Sequence, residues 1–278
     1  MGNVLVTGAS SGIGLAACVE AARRGHLVVA TMRDPGRAGR LLQAAALAGV
    51  VGRVAVAELD IAWPAERVEA AVARAARAHG GLDALVNNAG IAAFGPLESL
   101  SDAAVRRVFE VNLFGPLACI RACAPHMRER GSGTIVNVSS MSGRVPSPLG
   151  GAYVASKFAL EGASEVLRLE LGPFGVRVVL VQPGQYRTDI RGRDYGLGAL
   201  PGSPYEAQLN AWLALEGKAP PDAADPAEVG RLIADILADP SPTLRYPVGP
   251  VAGMTAAEWI ERHLSRPWEE TQRLLGGP

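Results

Sequence analysis

The chain carries no excess of either charge: lysine plus arginine and aspartate plus glutamate stand at 27 each. No net field exists to draw nucleic acid or an anionic membrane. Cysteine is scarce. Cys18, Cys119 and Cys123 are odd in number and lack metal-ligand spacing, and Cys18 and Cys119 fall in apolar helical contexts, which leaves no metal site and no disulfide framework. Reduced thiols of a cytosolic protein are the expectation. No apolar run approaches the ~18 residues of a membrane helix, and the chain enters its first strand without a cationic leader. Internal repeats are absent, as is any composition break that would mark a second domain. The expectation is a soluble cytoplasmic protein whose partner is a small molecule. The 278 residues, 49% hydrophobic, suffice for one large α/β domain with a sizeable core.

Short β-branched runs alternate with Ala-rich helical stretches, the pattern of a doubly wound parallel sheet of about seven strands with helices on both faces. Strands are expected at Asn3–Val6, His26–Thr31, Arg53–Asp60, Leu82–Val86, Ile135–Val138, Val176–Val181 and Thr243–Tyr246. Helices are expected over 15–24, 64–79, 101–130, 152–175, 226–237 and 255–275. The segment 190–225 breaks into Gly, Pro and short apolar pieces, as a cover over a ligand does. Tyr186, Tyr195 and Trp212 are candidate substrate contacts in and beside it.

The first strand runs into Thr7-Gly8-Ala9-Ser10-Ser11-Gly12-Ile13-Gly14. A helix opening after such a turn presents unpaired N–H groups and the positive end of its dipole, where a pyrophosphate binds. Gly8 suits the tight turn, Gly12 the close backbone approach and Gly14 the packing of helix on strand. After the second strand, where a dinucleotide's adenosine ribose would lie, stand Met32, Arg33 and Asp34. A guanidinium there suits a 2′-phosphate and so NADP; the alternative is an arginine paired with Asp34. Asp60 is placed either to meet an adenine amine or to face solvent. Asn87-Asn88-Ala89-Gly90 ends the fourth strand with small residues that let a ligand approach the sheet. Asn112 interrupts an apolar helical face as a satisfied core amide or as the holder of a water near Lys157.

After the fifth strand come Ser139-Ser140-Met141-Ser142-Gly143 and then Tyr153-Val154-Ala155-Ser156-Lys157. Residues four apart share a helix face, so the Tyr153 phenol and the Lys157 ammonium project side by side beyond the strand end. A hydroxyl, a phenol and a cation then converge.

Taken with Asn112, Ser140 and Pro183-Gly184-x-x-x-Thr188, these motifs closely resemble the single-domain short-chain dehydrogenase/reductase family, from residue 3 to about 190. Ala30-Thr31-Met32-Arg33-Asp34, Phe158-Ala159-Leu160-Glu161-Gly162 and Pro242-Thr243-Leu244-Arg245-Tyr246 resemble its 17β-hydroxysteroid and retinol dehydrogenase branch. The resemblance implies a Rossmann-type fold, Tyr153 as general acid/base, and Lys157 as the cation that lowers its pKa and holds the nicotinamide ribose. It implies Asn112 as the relay residue that retains a water, Ser140 as the substrate-orienting serine with Ser139 and Ser142 as alternative registers, and Thr188 as a carboxamide contact. Tyr186 and Arg187 depart from the aliphatic residue usual there. The implied protein is an NADP(H)-dependent oxidoreductase that interconverts a secondary alcohol and a ketone, or an aldehyde, on a fairly hydrophobic substrate. It is expected to pair as a homodimer or homotetramer through helices near 101–130 and 152–174. An epimerase or dehydratase on the same fold, and a non-catalytic NADP-sensing regulator, are the competing readings.

Overall fold

A computed structural model of the chain describes residues 1–191, 202–206, 223–251 and 254–264. The strands are β1 (Asn3–Thr7), β2 (Leu27–Met32), β3 (Val54–Glu58), β4 (Ala84–Asn87), β5 (Gly133–Val138), β6 (Val176–Pro183) and β7 (Arg245–Val248). They form one sheet in the order β3-β2-β1-β4-β5-β6-β7. Every neighbouring pair is parallel. A parallel sheet is covered on both faces, so its strands read as continuous apolar runs, not alternating ones.

Alternate residues of each strand feed two cores. Leu5, Val29, Leu85, Ile135 and Val178 face α3 (Ala65–Ala78), α4 (Asp102–Phe109), α5 (Gly115–Arg130) and α6 (Gly151–Leu171). Val4, Val6, Val28, Val136, Val179 and Val181 face α1 (Gly12–Arg23), α2 (Gly39–Leu47) and α7 (Ala227–Ala238). A two-stranded ribbon, β8 (Pro250–Val251) and β9 (Met254–Thr255), precedes α8 (Ala256–Leu264). No helix among the described residues is long and apolar enough to cross a membrane.

Several features depart from the sequence expectation, the β8–β9 ribbon among them. Helix α2 fills a stretch left without an element. The helical region 101–130 is divided by a π-helical turn, Glu110–Phe114. The seventh strand begins at Arg245, two residues later than expected. Crossovers reverse direction between β1 and β4, so the crevice at the carboxyl ends of these two strands is where such a sheet takes a ligand.

Candidate active site

The first wall of the crevice is the glycine turn between β1 and α1. Gly8 and Gly12 have φ of 69° and 56°, a left-handed conformation that only glycine adopts cheaply. A side chain on Gly8 would lie 2.8 Å from Ala89 Cα, and one on Gly12 would lie 3.2 Å from Thr188 Cγ2. The turn is therefore bare backbone squeezed between the ends of β4 and β6. Thr7 Oγ1 accepts from the Asn88 and Ala89 N–H groups at 3.0 and 3.1 Å, and Asn88 Nδ2 donates to Thr7 O at 3.0 Å. Ser11, the N-cap of α1, makes no side-chain capping bond, so the first N–H groups of the helix stay open to an anion. Ser10, Ser11 and Ile13 line this turn half-buried, and Pro183 and Gly184 end β6 opposite it. The cradle fits the pyrophosphate of a dinucleotide.

The second wall is the end of β5 and the start of α6. Lys157 is 4% exposed. Its Nζ donates to Val138 O at 2.8 Å and lies 5.7 Å from the Tyr153 ring centroid. Burial pushes its ammonium down to about 8, against an upward pull from Glu161. A side chain on Gly90 would come within 3.8 Å of Lys157 Nζ and 3.4 Å of Asn112 Oδ1, so the glycine that ends the β4 motif leaves room for both. Ser140 Oγ accepts from the Ser142 N–H at 3.1 Å, which fixes the oxygen and leaves its own proton free to donate. Ser139 Oγ is buried with no partner among the described residues and lies behind Gly143.

The Asn112 amide is fully used. Its Oδ1 accepts from the Ile91 N–H at 2.9 Å, and its Nδ2 donates to Ile91 O at 2.8 Å and to Ser156 Oγ at 3.0 Å. The side chain is thus a clip between the β4 loop and α6, and Ser156 Oγ passes the link to Tyr153 O at 2.7 Å. Any water held by this residue falls to its main-chain carbonyl, inside the π turn where the regular ladder is broken.

Arg33 is exposed at the end of β2. Asp34 does not pair with it: its carboxylate caps the next turn, accepting from the Gly36 N–H at 2.8 Å. Asp60 Oδ1 accepts from the Ala62 N–H at 3.0 Å, and Oδ2 lies 3.9 Å from Arg107, so its carboxylate holds its own loop.

Tyr186, expected as a substrate contact, has its hydroxyl engaged inside the protein. It is 6% exposed within the core beneath α1 and α7, and its hydroxyl donates to Glu228 Oε2 at 2.9 Å. Arg187 donates to Ala223 O at 2.6 Å. Both residues that break the family pattern therefore hold the segment 223–228. Tyr195 and Trp212 lie outside the described residues. A cleft of about 550 Å³ beside the start of α6, lined by Pro96, Leu97, Glu98, Leu149 and Tyr205, was not expected. Its signal in the sequence is only a Pro-Leu pair after the β4 motif.

A family model described as short chain dehydrogenase matches residues 2–195. The human 17-beta-hydroxysteroid dehydrogenase type 1 is 37% identical over 258 residues, covering 87% of this chain and 76% of that protein. Bovine retinol dehydrogenase 8 is 42% identical over 196 residues, covering 68% of this chain and 61% of that protein. The crystal structure of a metagenomic short-chain oxidoreductase in complex with NADP superimposes with a TM-score of 0.70 at 29% identity, over 88% of this chain and 95% of the other. With the glycine turn, the buried lysine and the sheet order, these matches show that the chain belongs to the short-chain dehydrogenase/reductase family of oxidoreductases, which use a nicotinamide dinucleotide.

Proposed function

We propose that the protein interconverts a secondary alcohol and a ketone, or an aldehyde, on a fairly hydrophobic substrate, with NADP(H) preferred over NAD(H). The observation that carries the reading is the buried Lys157 beside the Tyr153 ring at the carboxyl end of β5, facing a glycine cradle. The cofactor supplies the hydride chemistry when bound.

The chain's residues supply the rest. Removing hydride from an alcohol carbon requires the hydroxyl proton to leave too, so a base must lie within reach of that oxygen. A free phenol, pKa ~10, is a poor base at neutral pH. A cation nearby lowers it by ~1 to 3 units, and Lys157 is that cation. In the reducing direction the Tyr153 phenol donates the proton. Ser140 donates its free proton to the substrate oxygen and stabilises charge as it develops there. The Asn112 clip keeps the β4 loop, the π turn and α6 in register around this pair. Lys157 has further protons beyond the one spent on Val138, available to a ribose hydroxyl.

Arg33 supports the NADP preference: it is an exposed guanidinium at the ribose position, and its neighbouring carboxylate is engaged elsewhere. The metagenomic relative bound to NADP and the steroid-type relative support the cofactor and the substrate class. The apolar walls of the cleft at Pro96, Leu97 and Leu149 support a hydrophobic substrate.

The test is turnover of NADPH with a panel of steroid, retinoid and aliphatic ketones. Tyr153→Phe is expected to lose ~10²-fold or more in kcat/KM while still binding NADPH. Undiminished oxidation of NADPH by that variant would overturn the reading.

A further inference from the structure

We infer that Glu161 is a positioning residue for proton transfer: a buried, anchored carboxylate one helical turn beyond Lys157 that sets the field around its ammonium. The inference rests on Tyr153 and Lys157 being the proton-transfer pair. It goes beyond that reading by naming a group that touches neither substrate nor cofactor.

The geometry is that of an anchored, buried carboxylate. Glu161 is 4% exposed. Its Oε1 accepts from Gln182 Nε2 on β6 at 2.9 Å, and its Oε2 accepts from Arg245 Nε on β7 at 2.9 Å. Arg245 spans a turn of α6 and also pairs with Glu165. On the opposite side, a side chain on Gly143 would lie 3.0 Å from Glu161 Cγ and 2.8 Å from Ser139 Oγ, so the glutamate stem packs on the bare turn that follows Ser140. One carboxylate thus joins α6, the Ser140 turn and two strand ends.

The charges balance. Arg245 pairs with Glu161 and Glu165, and Lys157 lies one turn before Glu161 on α6; Gln182, Ser139 and Gly143 complete the surroundings and are neutral. Lys157 forms no salt bridge with a described residue, its one hydrogen bond being to the Val138 carbonyl. A buried ammonium without an anion nearby gives up its proton. Glu161 is the carboxylate that opposes this, and it pulls the lysine toward the charged form. Arg245 acts in the other direction, both as a cation and by drawing on the same carboxylate.

The sequence offers a direct probe, because Lys157 and Lys218 are its two lysines. Carbon-13 labelling at lysine Cε in the full chain gives two NMR resonances, and Lys218→Arg assigns them. Glu161→Gln keeps the shape and removes the charge, at the cost of turning one of the two accepting oxygens into a donor. It is expected to lower the Lys157 midpoint by about one unit and to move the alkaline limb of the kcat/KM profile to lower pH. Arg245→Gln is expected to shift both the opposite way, and Glu161→Asp to restore the wild-type direction. A merely structural role would change thermal stability without these opposed shifts. Midpoints that stay together in the Glu161→Gln and Arg245→Gln proteins would overturn the inference, and Arg245→Gln decides it alone if Glu161→Gln does not fold. Turnover that survives Tyr153→Phe would instead overturn the proton-transfer reading, so the two failures are distinct.

Discussion

At the scale of single residues, the site stores a cost that the fold carries. Burial lowers Lys157 from 10.5 to about 8, of order 3 kcal/mol set against the folded state. Between those two values the folded chain binds fewer protons than the unfolded one, so stability rises with pH through that window. Lys157→Met removes the titrating group. The melting temperature of the cofactor-free variant, relative to wild type, is therefore expected to be highest near pH 7 and to fall steadily as pH rises to 10. A difference that stays flat with pH would show that the lysine is not desolvated as described. Arg33 bears the opposite signature, since it serves a ligand and not the fold. Arg33→Ala is expected to leave the melting temperature unchanged and to weaken NADPH by about tenfold or more, as loss of a charge-assisted bond does, with little effect on NADH. Isothermal titration with both cofactors checks this, and an unchanged ratio counts against the ribose-phosphate role.

At the scale of elements, the ends of strands were the most legible part of the chain. At β1, β4 and β6 an apolar run gives way to glycine, asparagine or proline, and Gly8 and Gly90 stand just past the carboxyl ends of β1 and β4. Helix α2 escaped notice because only Leu41 and Ala45 are buried on it, too short a stripe to rise above the Pro and Gly around it. The π turn at Glu110–Phe114 has no period to read, so the sequence marks Asn112 as anomalous without telling amide from carbonyl. The partners of Tyr186 and Glu161 were hidden for another reason: Glu228 and Arg245 stand far along the chain, and only the docking of α7 and β7 brings them near.

Contact between α1 and α7 is also invisible locally, yet it sets where the cofactor's helix lies. A side chain on Gly230 would lie 2.7 Å from Ala16 C and 2.8 Å from Ala16 O, so the two helices meet backbone to backbone there. Gly230→Ala gains up to ~1 kcal/mol in helix propensity but forces α7 outward at ~1 to 3 kcal/mol. The net expectation is a fall of a few degrees in melting temperature together with weaker NADPH binding, as α1 shifts under the glycine turn. A rise in melting temperature would show that the interface relaxes freely.

At the scale of the whole molecule, α6 has two faces with separate uses. Ala152, Ser156, Lys157, Leu160, Glu161 and Ser164 face inward and are buried. Phe158, Val166 and Leu169 lie within about 100° of one another on the outward face by helical spacing, and Leu169 is 77% exposed. Phe114, at the end of the π turn, is exposed as well. Large apolar side chains grouped on one surface favour a protein contact over water, and a second copy placing the same helix against this one satisfies the self-complementarity of a two-fold interface. The proposed pairing of chains through the helices at 101–130 and 152–174 therefore makes a specific demand on this stripe. Wild type is expected to sediment as a dimer or tetramer at micromolar concentration, and a Val166→Glu, Leu169→Glu double variant as a smaller species with the same helical content. Because Lys157 and Phe158 are neighbours on α6, the dissociated form is also expected to lose activity as the start of the helix loosens, with Tyr153 and Lys157 intact. A wild-type chain that sediments as a monomer, or a double variant that stays associated, would leave the stripe to some other partner.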